Sequence, residues 1–170
     1  MRHRVLFAAA LLPGVSLSAQ TRATDAARAE VNGRQARITT SASTAVVHAG
    51  ERITLAVEVN LRPGVHVYAP GVEGYIPISW TLEESAAYRA HDVEMPAAHK
   101  LYLEAIDETV PAYEGRFRLI RYVSIGPDSA VHEGRLSIAG TLRYQACDDR
   151  MCYKPEKLPL LWTLTVEPRK

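Results

Sequence analysis

From residue 35 onward, apolar and polar side chains alternate along most of the chain. In "ERITLAVEVN" (residues 51–60), Ile53, Leu55, Val57 and Val59 point one way while Arg52, Thr54 and Glu58 point the other. "RLSIAGTLRY" repeats the scheme with Leu136, Ile138, Leu142 and Tyr144, and "LLWTLTV" does so with Leu160, Trp162, Leu164 and Val166. A period of two describes strands with one wet and one buried face. Further strands are predicted at 36–43, 65–69, 76–82, 88–93 and 116–125. The segments "LRPG" (61–64), "APGVEG" (69–74) and "GPDS" (126–129) supply the Pro, Gly and Asp that turns require. No stretch after residue 35 sustains a 3.6-residue period. Short strands without helices to cover a parallel sheet predict an all-β fold, an immunoglobulin-like antiparallel β-sandwich of two sheets. The Cys…Trp…Cys spacing of true immunoglobulin domains is absent. Residues 96–115, "PAAHKLYLEAIDETVPAYEG", show the weakest pattern and are expected as a strand fragment followed by a long acidic and aromatic loop.

The N-terminus changes the picture. Arg2, His3 and Arg4 precede an apolar run from Val5 to Leu12, and Pro13, Gly14 and small residues follow. This is the layout of a cleavable signal peptide spanning residues 1–19, and the run is too short to cross a bilayer. Residues 20–34 are polar and Ala-rich, expected as a flexible leader or a short helical turn. Residues 35–170 then form one domain, large enough for its own core. Export predicts a periplasmic or secreted protein, where disulfides form and persist. Twenty basic residues against nineteen acidic ones, with no basic run, argue against nucleic acid as a partner. A second apolar stretch of spanning length is absent, so stable membrane insertion is not expected.

The only two cysteines, Cys147 and Cys152, lie in "YQACDDRMCYKPEK". Four residues between two extended pieces make a hairpin-like loop that can hold both sulfurs within bonding range. Spacing alone leaves two readings open, a structural staple and a redox pair. Asp148 and Asp149 oppose a thiolate, while Arg150 and Lys154 favour one. Zinc would need two more ligands, and His48, His66, His91, His99 and His132 show no paired spacing. Met151 alone does not make a soft copper site. No metal is expected. Signatures of nucleophilic hydrolysis and phosphate-cradling loops are missing, and Glu83/Glu84 and Asp107/Glu108 read as solvated faces. Tyr68, Tyr113, Tyr144 and Tyr153 stand at strand ends or in loops, where they could either pack the sandwich or line a site.

"GTLRYQACDDRMCYKPEKLPLLWTLTV" resembles the end of the N-terminal periplasmic domain of the thiol:disulfide interchange protein DsbD family. There a Tyr-Gln-x-Cys strand leads through a short acidic loop to Cys-Tyr-x-Pro. "LRPGVHVYAP" is similar to the family's Pro-Gly-x-His-x-Tyr strand, and "YEG" (113–115) to the segment after its active-site cap. The resemblance spans roughly residues 35–168. It implies a protein-disulfide reductase activity that needs no cofactor. A reversible Cys147–Cys152 disulfide would carry electrons from a thioredoxin-like or membrane electron-transfer protein to oxidised periplasmic proteins. Cys152 would be the exchanging cysteine and Cys147 its resolving mate. His66 and Tyr68 would line the cleft, with His66 where some members carry a second tyrosine. Tyr113 would supply the cap's ring, and Tyr144 and Tyr153 would bracket the pair. The family protein continues into a membrane carrier and a thioredoxin-like domain, so for a chain ending at Lys170 the donor is expected to act in trans. The competing expectation is a non-catalytic immunoglobulin-like binding module with a structural hairpin disulfide.

Overall fold

The strongest alternation in the sequence builds the longest strand pair. β11 (Gly134–Tyr144) and β13 (Glu156–Val166) run antiparallel in unbroken register from Gly134↔Val166 to Tyr144↔Glu156. Along β13, Leu160, Trp162, Leu164 and Val166 are buried while Leu161, Thr163 and Thr165 are exposed. The computed structural model describes residues 26–104, 107–127 and 134–168, and every regular element among them is a strand. The proposed signal peptide lies outside the described residues, as do residues 20–25 of the leader.

β3 (Val46–Val47) and β6 (Ser79–Leu82) flank the long pair in the order β3-β13-β11-β6. The facing sheet has five strands. β1 (Ala26–Asn32), β2 (Ala36–Ala42), β4 (Arg52–Leu61), β7 (Tyr88–Glu94) and β10 (Arg116–Ile125) are ordered β1-β2-β4-β10-β7, all antiparallel. Their inner faces share one core, with Ile38, Leu55, Val57, Leu119 and Val123 on one side and Ile138, Leu142, Trp162 and Leu164 on the other. The Trp80 and Trp162 rings stack at 5.4 Å, and the Trp162 indole N–H donates to the Ser41 carbonyl across the sandwich at 2.9 Å. The fold is an all-β, immunoglobulin-like antiparallel sandwich, as the pattern implied.

Two stretches differ from expectation. Residues 26–32, expected as leader or helical turn, form β1 and pair with β2. Residues 96–115, expected as a fragment and a loop, contain β8 (His99–Leu103) and β9 (Glu108–Glu114). With β5 (His66–Tyr68) and β12 (Ala146–Cys147) they make a third sheet, ordered β12-β5-β9-β8. Side chains directly opposite one another across an antiparallel pair share a face, and the face switches at every residue. Accordingly Val67, Tyr113 and Ala146 join the main core, while Tyr68, Val110 and Cys147 form a second, smaller cluster. The third sheet is thus a partition, sealing the sandwich on one side and carrying the cysteine on the other.

Gly140 shows how tightly β11 meets β6. A Cβ there would come within 2.5 Å of the Thr81 carbonyl oxygen, a backbone atom that cannot swing aside. Gly140→Ala should lower the unfolding free energy by about 1–3 kcal/mol, as other overpacked core positions do. Urea denaturation measures it; an unchanged midpoint would mean that β6 yields freely.

Candidate functional site

Cys147 and Cys152 are joined by a disulfide, with their Cα atoms 4.0 Å apart across an antiparallel bridge. The hairpin between them is organised by one carboxylate. Asp148 Oδ1 accepts from the backbone N–H groups of Arg150 (2.9 Å) and Met151 (2.8 Å), and Oδ2 accepts from the Tyr153 hydroxyl at 2.6 Å. A side chain that satisfies the backbone two and three residues on is the usual device of a tight Asx turn. The Tyr153 bond and then the two backbone bonds hold the Asp148 carboxyl below its ordinary pKa, and the Tyr153 phenol is raised by the same contact. Backbone bonds from Asp148 to the Met151 carbonyl and from Tyr153 to the Ala146 carbonyl close the hairpin.

The two sulfurs have unlike surroundings. Cys147, at the end of β12, is 1% exposed, whereas Cys152 lies on the exposed strand of the hairpin. Around Cys147 pack Tyr68 and Val110, with Val72, Tyr75, Leu101 and Leu103 partly buried against them. The Tyr68 hydroxyl lies 4.0 Å from Cys152 Sγ, and because a disulfide sulfur has no proton the hydroxyl is the donor. Burial, and then the charge of Glu108, raise the Tyr68 pKa, so that donor keeps its proton. The Tyr75 ring lies against Tyr68 at 4.2 Å, and its hydroxyl donates to Glu108 Oε2 at 2.7 Å. That bond pushes the Tyr75 phenol up to about 12.

His66 pairs directly with Cys147 on one side and Glu114 on the other. It is 5% exposed, meets Tyr68 edge-on at 5.3 Å, and its Nε2 is buried with no hydrogen-bond partner among the described residues. Desolvation lowers its pKa most; Glu114 and Asp148 pull it back up, and His99 adds to the lowering. The sign of the stability effect follows. Below its ordinary pKa the unfolded chain takes up a proton that folded His66 refuses, so stability falls as pH drops through about 6.5 and levels off only below the folded pKa. Between about pH 7.5 and 5.5, wild type should lose more stability than His66→Phe in denaturant titrations. Equal losses would remove His66 as the source.

His66, Tyr68 and Tyr153 lie around the disulfide. Tyr113 and Tyr144 belong elsewhere. Tyr113 faces the main core, stacked on Phe117 at 4.8 Å, with its hydroxyl donating to the Pro96 carbonyl. Tyr144 is 1% exposed in that core and donates to Glu156 Oε2 at 3.2 Å. The ring beside Tyr68 comes instead from Tyr75, which sequence reasoning passed over in a Gly- and Pro-rich turn. Val110, Leu101 and Leu103 were also missed, although "HKLYL" and "ETVPAYE" do alternate. Of the acidic pairs, Glu108 serves Tyr75 and Asp107 accepts from the Tyr102 hydroxyl. Glu83 and Glu84 line a groove with Tyr88, Arg89 and Arg121 that does not include the disulfide. Among the described residues, no three His, Cys, Asp or Glu side chains are grouped to hold a metal ion.

The fold is similar to the crystal structure of the N-terminal periplasmic domain of ScsB from Proteus mirabilis. The TM-score is 0.55 at 14% identity, covering 81% of this chain and 51% of that one, so the chain spans about half of the structure it matches. No curated protein sequence matches the chain. Residues 35–160 match the family model described as thiol:disulfide interchange protein DsbD, N-terminal. That span holds the whole third sheet, both cysteines and the rings around them, and the chain belongs to the DsbD N-terminal family as a thiol–disulfide interchange domain.

Proposed function

We propose that the chain is a periplasmic protein-disulfide reductase module that passes electrons through a reversible Cys147–Cys152 disulfide. The donor is a thioredoxin-like or membrane electron-transfer protein, and the acceptors are oxidised proteins of the same compartment. The observation that carries this reading is the unequal exposure of the two cysteines, Cys152 an exposed residue and Cys147 a buried one. A donor thiolate arriving from solvent meets Cys152 Sγ. A bond forms there, the Cys147–Cys152 bond breaks, and Cys147 leaves with the electron pair. A second donor thiol then attacks its own mixed-disulfide sulfur and leaves this domain as a dithiol. Running the same steps against an oxidised acceptor restores the ring.

The reduction potential of the pair tests the reading. A working relay should sit above about −300 mV, within reach of thioredoxin-like donors, whereas a structural staple lies below it. Stability offers a second discriminator. The ring encloses four residues and the sandwich has its own core, so the double Cys147→Ser, Cys152→Ser variant should lose roughly 2 kcal/mol or less. Thermal unfolding measures this. A variant that fails to fold would favour the non-catalytic binding module.

A further inference from the structure

We propose that His66 is the acid–base residue of Cys147, taking the thiol proton as Cys147 closes the ring and returning it as the ring opens. The inference rests on the exchange function proposed above. Cys147, His66 and Glu114 lie side by side in one register row across β12, β5 and β9, on the face opposite the main core. The row continues to the surface, because Glu114 Oε2 meets His99 Nε2 of β8 at 2.9 Å and both side chains are about half exposed.

A buried thiol at 1% exposure has little access to water, and desolvation opposes its thiolate. It needs a neighbour to take the proton. Asp148 is a poor base, since its oxygens already accept from Tyr153, Arg150 and Met151. The Tyr68 hydroxyl is directed to Cys152 and keeps its proton. His66 Nε2, on the strand paired with Cys147, is buried with no hydrogen-bond partner among the described residues. With the ring proton on Nδ1, Nε2 offers its lone pair, and burial keeps that form available at neutral pH. The charged groups facing it are Glu114 from β9, His99 from β8 and Asp148 from the hairpin. The two carboxylates offset the charge that develops on the ring.

In the closing step an acceptor sulfur is bonded to Cys152 Sγ. The Cys147 S–H proton passes to His66 Nε2, and the Cys147 thiolate attacks Cys152 Sγ. The Cys147–Cys152 bond forms, the Cys152–acceptor bond breaks, and the acceptor leaves as a thiolate with the electron pair. This domain is oxidised by two electrons and the acceptor is reduced by the same two.

Reduced protein mixed with dithiobis(nitrobenzoate) separates the steps. The first release of thionitrobenzoate depends on reagent concentration and reports capture by Cys152. The second does not, and reports attack by Cys147. His66→Phe should leave the first phase unchanged and slow the second by roughly 100-fold near neutral pH, the usual contribution of a positioned base. The difference should shrink as pH rises beyond the ordinary thiol value of about 8.5 and the Cys147 thiol begins to ionise unaided. Glu114→Gln, a surface change, should move the acid limb of the second phase to lower pH, because His66 loses a charge that favours its protonation. A second phase in His66→Phe with wild-type rate and pH profile would overturn the proposal. So would slowing by the same factor at every pH, which marks packing, or an unshifted limb in Glu114→Gln. A wild type with no second phase would remove the exchange reading and this inference together; a failure confined to the variants removes only the role of His66.

Discussion

Cys147→Ser accumulates a covalent complex with a single-cysteine thioredoxin charged as its thionitrobenzoate disulfide, and Cys152→Ser accumulates roughly tenfold less or lower still. The expectation has two independent grounds. Access comes first: Cys152 sits on the exposed strand of the hairpin, while Cys147 lies beneath Tyr68 and Val110 at 1% exposure. Charge is the second. Thiolate character, on which attack depends, is opposed at Cys147 by burial and by the neighbouring ionised Asp148. Without the resolving sulfur of Cys147, a complex through Cys152 has no internal route of release. Non-reducing gels of both variants give the ratio. Equal trapping, or trapping through Cys147 alone, would reverse the roles of the two sulfurs.

Trp162→Ala should be the most damaging single substitution in the sandwich, lowering stability by about 3–5 kcal/mol. Trp162 is fully buried between the sheets, stacks on Trp80 and spends its indole N–H on the Ser41 carbonyl. Truncation removes the ring's contacts, opens a cavity and leaves a buried acceptor without its donor. Domains of this size have only about 5–15 kcal/mol in hand, so the variant should be close to unfolding at physiological temperature. Trp162→Phe, which keeps an aromatic ring but not the donor, should lose markedly less. Guanidinium titrations of the pair would check the order, and a loss under about 1 kcal/mol for the alanine variant would contradict the packing assigned to this ring.

What could be read from the sequence divides along the two faces of the third sheet. β4, β10, β11 and β13 are long and half-buried, so alternation declares them, and Leu160, Trp162, Leu164 and Val166 point inward as their spacing requires. The cysteine motif fixed the disulfide and its hairpin. Of the third sheet, β5 falls within the strand expected at 65–69, but β8 and β9 were opaque, β8 because it is short and β9 because it contains a proline. Pro111 cannot donate to a ladder and so argues for a loop, yet in β9 its carbonyl accepts from Ala69 and the pairing with Lys100 survives. Once β9 is a strand, parity decides the tyrosines: Tyr113 pairs with Val67 on the core face, and the disulfide lies on the other. Tyr75 carried no periodic signal, since its position comes from the turn after β5 folding back over Tyr68. β1 was hidden for another reason: Ala27, Ala29 and Val31 do alternate with Arg28, Glu30 and Asn32, but an apolar face made mostly of alanine is a weak strand signal.

The closeness of the two cysteines along the chain sets how far a change in oxidation state can be felt. Only five peptide steps separate them, and a fully extended chain advances about 3.3–3.6 Å per residue. With the bond open, the two Cα atoms, 4.0 Å apart when it is closed, could separate to at most roughly 18 Å, and hydrogen bonds at Ala146, Asp148 and Tyr153 restrain that hairpin. Overall dimensions and strand order should therefore be nearly the same for dithiol and disulfide. On the exchange function proposed above, a partner would gain no distant cue to which form it has met. It would have to read the difference by contact, at exposed Cys152 and the rings beside it.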